Sequence, residues 1–275
     1  MSQSDRDAAS VFLEGDMAEG EIVRIGGGKA VVYSSRSPAK ETPNEDAAAL
    51  IPFDDGSGVL VIADGAGGLR EGARASALAI DALTSAIRAA EKECVELREA
   101  ILNGIESANQ AVSALGTGAA TTLAAVELQH SSLRPYHVGD SMILVTGQKG
   151  KIKLQTISHS PVGYAVQAGL LDEAEAMHHE DRHLVSNFIG SADMHIDIGS
   201  TVELAPRDTV VIATDGLFDN LHIDEIVERT RKGILLQVAR SLADACHQRM
   251  KNPEHDHPSK PDDLTFIVFR SMRNL

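Results

Sequence analysis

The sequence predicts an α+β fold in which antiparallel sheets are covered on their outer sides by helices. Short apolar strands follow one another without helices of crossover length between them, which favours antiparallel pairing. Amphipathic helices come in two pairs, each after a run of strands, and their apolar stripes need a sheet to cover. No linker divides the 275 residues, so we expect one domain, residues 21–275, after a polar tail at residues 1–20.

The first predicted elements are two short strands, a loop and a buried strand. EIVRI and KAVVYSS flank three consecutive glycines, Gly26 to Gly28, which is typical of a hairpin. SRSPAKETPNEDAAAL is rich in Ser, Pro and charge and is predicted to be a loop. GVLVIAD is apolar and β-branched, which predicts a buried strand, and it stops at Asp64.

Two helices and a run of strands come next. The apolar stripe of the first helix comprises Ala73, Ala77, Ile80, Leu83 and Ile87. The stripe of the second comprises Leu97, Ile101, Ile105, Ala108, Val112 and Leu115. GTGAATTLAAVEL, LRPYHVG, SMILVTG and KIKLQTI then predict a meander of consecutive antiparallel strands.

The second half of the chain repeats the order of strands followed by helices. Residues 158–195 are rich in His and Glu and carry only short helical patterns. STVELAPRDTVVIATDG predicts a strand pair joined by a Pro-containing turn, and it too stops at an Asp-Gly pair. IDEIVERT and ILLQVARSLADACHQRM predict helices, KNPEHDHPSKPDD a polar loop and LTFIVFR a last strand.

Composition limits the partners and the compartment. The net charge is -15, with 40 acidic and 25 basic residues, so we expect neither nucleic acid nor a membrane as a partner. No apolar run approaches the roughly 20 residues of a membrane span, and the N-terminus has no secretory pattern. The two cysteines, Cys94 and Cys246, are isolated and are predicted to be small core residues. These observations predict a cytoplasmic protein.

Acidic residues stand where strands meet turns, at five places along the chain. They are Glu45 and Asp46, Asp64, Asp140, Asp215, and Asp262 and Asp263. Each taken alone is an ordinary turn former or strand-end charge, but each borders an apolar strand, so one sheet edge could gather them. Gathered carboxylates repel one another unless a cation lies among them, and oxygen ligands without clustered Cys or His suit Mg²⁺ or Mn²⁺. Gly65, Gly67 and Gly68 would let a metal or phosphate approach the backbone.

The ordered motifs of the chain resemble those of the metal-dependent protein phosphatases of type 2C. NEDA, ADGAGG, GTGAATTLAAV, HVGDS, ISHSPVGYAVQAGLLDEAEA, NFIG, ATDGLFD and DDLTFIV occur in the family's order from about residue 20 to residue 271. The resemblance implies a four-layer α-β-β-α sandwich, two antiparallel sheets packed face to face with helices on both outer sides. It also implies a bacterial-type protein serine/threonine phosphatase that hydrolyses phosphoserine and phosphothreonine by in-line attack of a metal-bridging hydroxide.

Matching motif positions imply the ligands of two tightly bound Mg²⁺ or Mn²⁺ ions. Asp64 would bridge both ions. Glu45 and the carbonyl of Gly65 would complete one, and Asp215 and Asp262 the other.

The resemblance implies further roles around these ions. Asp46 would orient a metal-bound water, and Asp140 would share a weaker third ion with Asp215. Residues 158–195 match the family's flap, which lies beside the active site and helps to select substrates. The implied partners are a phosphorylated protein substrate and a cognate Ser/Thr kinase.

Several positions depart from the family pattern. Glu41 stands where the family places the arginine that grips the substrate phosphate, so Lys40 and Arg36 are the candidates for that contact. Three other positions depart as well. Ala66 stands where the family commonly has His or Met, Met142 where it commonly has Arg, and Asp263 where it commonly has Asn.

Alternatives remain open at this point. The same fold could serve as a catalytically impaired pseudophosphatase that acts as a binding module, or as a structural metal-binding protein without turnover. Asp219 is predicted either to brace its turn or to bind a metal directly. The segment HHEDRH, with His178, His179 and His183, is either a solvated part of the flap or a transition-metal site. The hydroxyls of Thr117, Thr121 and Thr122 are predicted to line a strand or to lie near the site.

Overall fold

Fifteen strands and seven helices are present in the computed structural model, which describes residues 8–66, 71–254 and 257–272. The strands are β1 Ser10–Leu13, β2 Glu21–Ile25, β3 Gly28–Ser35, β4 Ala47–Asp54, β5 Ser57–Ala63, β6 Gly65–Ala66, β7 Ala120–Thr121, β8 Leu123–Gln129, β9 Ser132–Val138, β10 Met142–Thr146, β11 Ile152–Gln155, β12 Asp197–Ile198, β13 Val202–Glu203, β14 Thr209–Ala213 and β15 Leu264–Ser271. The helices are α1 Glu71–Glu93, α2 Leu97–Ser113, α3 Pro161–Gln167, α4 Glu173–Met177, α5 Asp215–Phe218, α6 Ile223–Thr230 and α7 Leu235–Lys251.

The strands form two large antiparallel sheets. The first has the order β1-β4-β5-β8-β9-β12, with β13 also paired to β9. The second has the order β11-β10-β14-β15-β3-β2. A small pair, β6 and β7, stands apart from both.

Three apolar cores separate four layers. In β5, Val59 and Val61 face α1 and α2, whereas Leu60 and Ile62 face the second sheet. This division follows from the strand geometry, in which successive side chains point to opposite faces. The second sheet divides its side chains in the same way, and its outer face packs on α5, α6 and α7. The predicted α-β-β-α sandwich is therefore confirmed.

The helix stripes are largely as predicted. Ile80, Leu83 and Ile87 are buried, but the alanines buried with them on α1 are Ala75, Ala79 and Ala90 rather than Ala73 and Ala77. On α2 every predicted stripe residue from Leu97 to Val112 is buried.

Two strands lie where the sequence predicted other structure. The end of the predicted loop, Ala47–Leu50, begins β4, which pairs with β5 at the centre of the first sheet. Its alanines have little strand propensity, so the burial of both faces decides this segment. Ser10–Leu13, inside the predicted polar tail, forms β1 and pairs with β4. Residues 1–7 of that tail lie outside the described residues.

The predicted meander and the predicted strand pair both divide between the sheets. The chain leaves β9 in the first sheet, passes through residues 139–141 and enters β10 in the second. β13 and β14 are likewise in different sheets. Alternating apolar residues do not distinguish a hairpin from a crossing, because strands of both sheets face the same central core. The first crossing carries Asp140.

Only one of the two cysteines lies in the core as predicted. Cys246 is buried in the core between α7 and the second sheet, whereas Cys94 is exposed just after α1. No helix in the described ranges is both long and apolar enough to cross a membrane.

Candidate functional site

In the first sheet, antiparallel pairing brings two of the predicted acids to one edge. Glu45 and Asp46 precede β4, and Asp64 follows β5. Ala47 and Ala63 are directly opposite each other in the β4–β5 ladder. The start of one strand and the end of its neighbour therefore deliver these acids side by side.

The second sheet repeats this arrangement. Asp215 follows β14 and Asp262 precedes its neighbour β15, which runs the opposite way. Asp140 precedes β10, whose first residue pairs with Ala213 at the end of β14. Three more acids are thus delivered to one edge of this sheet.

Hydrogen bonds join the two edges. The Asp263 carboxylate accepts the backbone N–H of Ser37 through Oδ1 and that of Glu45 through Oδ2, both at 2.8 Å. Thr214, from the end of β14, donates its hydroxyl to Oδ2 of Asp46 at 3.0 Å. Asp263 is therefore an acceptor that joins the strand ends of the two sheets. An asparagine has a single acceptor oxygen and could not accept from both N–H groups through separate oxygens.

The acids lie close enough together to raise one another's pKa values. Burial raises the pKa of Asp64 well above its ordinary value, and the charges of Asp46, Asp215, Asp262 and Asp140 raise it further. Burial also raises the pKa of Asp46 well above its ordinary value. Clustered, partly desolvated carboxylates retain their charge only if a cation or a proton offsets it.

The second half of the cluster behaves in the same way. Burial and the charges of Asp215 and Asp219 raise the pKa of Asp140 to about 7. Burial and the charge of Asp215 raise the pKa of Asp219 and of Asp262 to about 6. The Asp219 N–H donates to the Asp215 carbonyl at 2.7 Å, which closes the turn. The Asp219 carboxylate is directed at the cluster, since its Oδ2 lies 3.2 Å from Lys260 Nζ.

One lysine that the sequence singled out reaches the cluster. Lys40 Nζ lies 2.5 Å from Glu45 Oε2 and 2.6 Å from Asp263 Oδ2. Arg36 is turned elsewhere, because it donates to the Glu41 carbonyl at 3.1 Å and lies 3.8 Å from Asp16.

A second lysine was not predicted. Lys260 Nζ forms a hydrogen bond with Asp215 and lies 3.2 Å from Asp219 and 3.1 Å from Asp262. Burial lowers the pKa of Lys260, but the three carboxylates more than offset that effect and raise it. Only its position in the fold could have revealed this residue, since nothing in KPDD marks it as a partner of Asp215.

The residues present fit divalent ions with oxygen ligands. Glu45 Oε1 and Asp215 Oδ1 are buried and have no hydrogen-bond partner within the described ranges. A Cβ on Gly65 would lie 2.1 Å from the Gly72 carbonyl oxygen, and one on Gly72 would lie 2.5 Å from Glu45 Oε1. The backbone is therefore packed closely around Glu45, and an ion there would meet carboxylate and carbonyl oxygens. The predicted contributions of Gly67 and Gly68 lie outside the described residues.

Hydroxyl groups hold the Asp64 backbone in place. Thr122 Oγ1 accepts from the Asp64 N–H at 3.1 Å and bonds Ser141 Oγ at 2.7 Å. Thr121 Oγ1 donates to the Asp64 carbonyl at 2.8 Å. Two of the three predicted threonines thus lie near the site, and Ser141 links Thr122 to the loop of Asp140.

A separate set of metal-ligand types consists of His137, His159 and Asp197. The Gly139 N–H and the Asn187 amide both point at Nδ1 of His159, at 3.1 and 2.8 Å. A backbone N–H can only donate, so Nδ1 accepts and the neutral ring carries its hydrogen on Nε2, 3.2 Å from Asp197. His159 Nε2 has no lone pair for a metal in this arrangement. We therefore assign His159 to the packing of the flap against Gly139.

The three histidines of HHEDRH do not form a metal site. His178 and His183 are exposed, and His179 Nδ1 accepts the Asp181 N–H at 3.1 Å. None of these three histidines belongs to the His137 set, whose donor atoms lie within 4.8 Å of one another. The solvated-flap interpretation is therefore favoured. The HDH sequence at 255–257 has two residues outside the described ranges.

Comparisons with known proteins agree with this geometry. The sequence model described as Protein phosphatase 2C matches residues 33–255. A protein phosphatase 2C-type protein of Streptococcus pyogenes is 35% identical over 197 residues, 68% of this chain and 78% of the relative. Protein phosphatase PhpP of Streptococcus pneumoniae is 31% identical over 195 residues, with the same coverage. The structure of the S. agalactiae serine/threonine phosphatase superposes with a TM-score of 0.74 at 26% identity, covering 88% of this chain and 99% of that one.

The close approach of Gly216 to β15 predicts that Gly216→Ala disturbs the site. The added Cβ would lie 1.9 Å from the Asp263 carbonyl oxygen, a main-chain atom that cannot turn aside. We expect a loss of roughly 1–3 kcal/mol or more in the free energy of unfolding, measured by urea denaturation. Gly147→Ala is the control, since its nearest atom would be 3.5 Å away. Equal stabilities of the two variants would contradict the packing described.

The raised pKa values predict that the metal-free protein loses stability as pH rises. The folded state holds protons on Asp140, Asp219 and Asp262 more tightly than the unfolded chain, in which the aspartate pKa has its ordinary value of 3.8. This stability is fully present below pH 3.8 and is lost as pH rises through about 6 to 7. We expect the melting temperature in EDTA to fall from about pH 5 to about pH 8, and the fall to disappear with saturating Mg²⁺. Asp140→Asn should make the fall shallower, and an identical fall with and without Mg²⁺ would refute the assignment.

Proposed function

The chain belongs to the protein phosphatase 2C family, and from that premise we propose that it is a serine/threonine protein phosphatase that hydrolyses phosphoserine and phosphothreonine with the help of divalent metal ions. The observation that carries the proposal is the meeting of strand ends from both sheets. They deliver one shared set of acids: Glu45, Asp46, Asp64, Asp140, Asp215 and Asp262.

We assign the acids as follows. Asp64, whose pKa is raised by acids from both sheets, would contact two Mg²⁺ or Mn²⁺ ions. Glu45 and the Gly65 carbonyl would hold one ion, and Asp215 and Asp262 the other. Asp140 would contribute to a weaker third ion. When bound, the ions would activate water and offset the charge of the phosphate.

The chain's own residues would orient and position the reactants. Asp46 is buried, and its Oδ2 is held by Thr214, so its carboxylate has a fixed direction from which to orient the attacking water. Asp263 is occupied by backbone N–H groups and Lys40, which supports a positioning role rather than a contact with phosphate.

Binding of the phosphate needs positive charge from side chains, since Glu41 replaces the family arginine. Lys40 is the nearest candidate, because its ammonium already lies against Glu45. Arg36 and Lys40 are among the residues that line a cavity of about 240 Å³, together with Asp16, His247 and Lys251. We propose that Lys40 contacts the phosphate, and that Arg36 interacts with more distant parts of a phosphorylated protein.

The alternative of an impaired binding module has no support in the site. An impaired site is expected to lose ligands, and all of the assigned ligands are present. The buried carboxylate oxygens without partners on Glu45 and Asp215 are also suited to bind metal ions. We further propose that a Ser/Thr kinase phosphorylates the substrates.

Asp64→Asn should abolish turnover and weaken metal binding, because a neutral amide cannot bridge two cations. Hydrolysis of para-nitrophenyl phosphate with added Mn²⁺ measures the first effect, and calorimetric titration of the metal-free protein the second. Asp81→Asn, an exposed acid on α1, is the matched control and should behave like the unmodified protein. Turnover by Asp64→Asn close to that of the control would show that the site is placed wrongly.

Lys40→Met should raise KM for small phosphate esters more than it lowers kcat, measured at saturating Mn²⁺. A contact made in both the ground state and the transition state contributes uniform binding. Loss of a charged hydrogen bond costs roughly 1.5 to 3 kcal/mol, or about 10- to 150-fold. Glu41→Arg should lower KM, because it restores a guanidinium. Arg36→Gln is the comparison. A sharp rise of KM in that variant, with none in Lys40→Met, would reverse the assignment.

A further inference from the structure

Lys260 forms ion pairs with three carboxylates, whereas Lys40 forms them with two. The Lys260 ammonium lies among the carboxylates of Asp215, Asp219 and Asp262, with the last two at 3.2 and 3.1 Å. The side chain is only 23% exposed. Lysine is rarely buried unless its charge is balanced, and here three acids surround it.

The backbone of Lys260 is held in place by a buried amide. Asn220 is fully buried and accepts the Lys260 N–H through Oδ1 while donating to the Lys260 carbonyl through Nδ2, both at 2.9 Å. The same amide donates to the Gly216 carbonyl at 2.9 Å. Asn220 thus joins Lys260 directly to the turn that carries Asp215 and Asp219.

Ser259, the residue before Lys260, is held by a residue of the flap. Arg182 donates to the Ser259 carbonyl at 3.1 Å, and the Ser259 hydroxyl donates to the Arg249 carbonyl at 2.9 Å. The segment before Asp262 is therefore held on both sides, and the Lys260 side chain starts from a fixed point. Its place among the acids is a property of the fold and not of a loose surface side chain.

We propose that Lys260 is a built-in cation of the metal centre, which holds Asp215, Asp219 and Asp262 together in the metal-free protein and competes with a divalent ion for Asp215 and Asp262. The inference rests on the proposed function, which assigns Asp215 and Asp262 as metal ligands.

Competition follows from charge and space. An ammonium and a metal ion cannot both lie within contact distance of the same carboxylate oxygens without strong repulsion. A divalent ion offsets more charge than the ammonium does, so it displaces Lys260 but must first break its ion pairs. Lys260 thereby lowers the affinity for metal and stabilises the metal-free fold. After displacement, the fixed backbone keeps the ammonium beside the centre.

Calorimetric titration of the metal-free protein with Mn²⁺ at about pH 8 tests the competition, at a pH above the raised pKa values of Asp140, Asp219 and Asp262. Lys260→Met should bind Mn²⁺ roughly 10- to 150-fold more tightly than the unmodified protein, the range expected from removing a charged hydrogen bond. Lys260→Arg keeps a cation and should retain the weaker binding. Lys149→Met removes the same charge from an exposed turn and should leave the affinity unchanged. In EDTA, Lys260→Met should also melt at a lower temperature than Lys149→Met.

A second measurement does not require Lys260→Met to fold. In the unmodified protein labelled with ¹⁵N-lysine, the Lys260 ammonium resonance should be protected from exchange in EDTA and should shift on addition of Mg²⁺. Lys260→Arg assigns the resonance by its loss.

The outcomes separate the two proposals. Equal Mn²⁺ affinity with and without the Lys260 ammonium, or a resonance that does not respond to Mg²⁺, would overturn the role of Lys260 and leave the metal centre intact. If the unmodified protein bound no divalent ion, the metal centre and the competition would both be wrong.

Discussion

Repulsion among carboxylates is the constraint on which the site depends. Asp64 has four other acids near enough to raise its pKa, in a chain that already carries a net charge of -15. Such a group is stable only when positive charge or protons offset it. The structure meets this need from within through Lys40 and Lys260, each in contact with two or more carboxylates. The same repulsion favours the binding of divalent ions, since one such ion carries twice the positive charge of a lysine ammonium.

The fold gathers the acids by a simple geometric device. In an antiparallel ladder the end of one strand lies beside the beginning of its neighbour. Acids placed after β5 and before β4 therefore become neighbours in space. β14 and β15 do the same in the second sheet. Packing the sheets face to face aligns the two edges, and the bonds of Asp263 and Thr214 hold them together. The crossing from β9 to β10 adds Asp140, so the break in the predicted meander is also what completes the acidic set.

The sequence predicted those features that depend on residue type and local order. Strand-end acids such as Asp64 and Asp215 could be recognised because an apolar run stops at them, and the order of motifs implied their common site. The contributions of Lys260, Asn220 and Gly72 could not be recognised, because each depends on which loops the fold brings together. Lys260 lies 45 residues from Asp215, and nothing local relates them. The strand β4 was missed for a related reason, since alanines become strand residues there only because two cores cover their faces.

The two lysines also bear on how an anionic substrate reaches so acidic a surface. The two divalent ions that we propose would leave part of the acidic charge uncompensated, and a phosphate dianion would still meet net negative potential from the remaining carboxylates. A lysine displaced from its carboxylates by a metal ion does not leave the site, because its backbone is held, as the Asn220 amide holds that of Lys260. Metal binding would then fill the centre and also release a lysine ammonium from its carboxylates, close to the bound ion. The positive charge that the missing family arginine would have supplied could therefore come from residues that serve as counter-ions in the metal-free state.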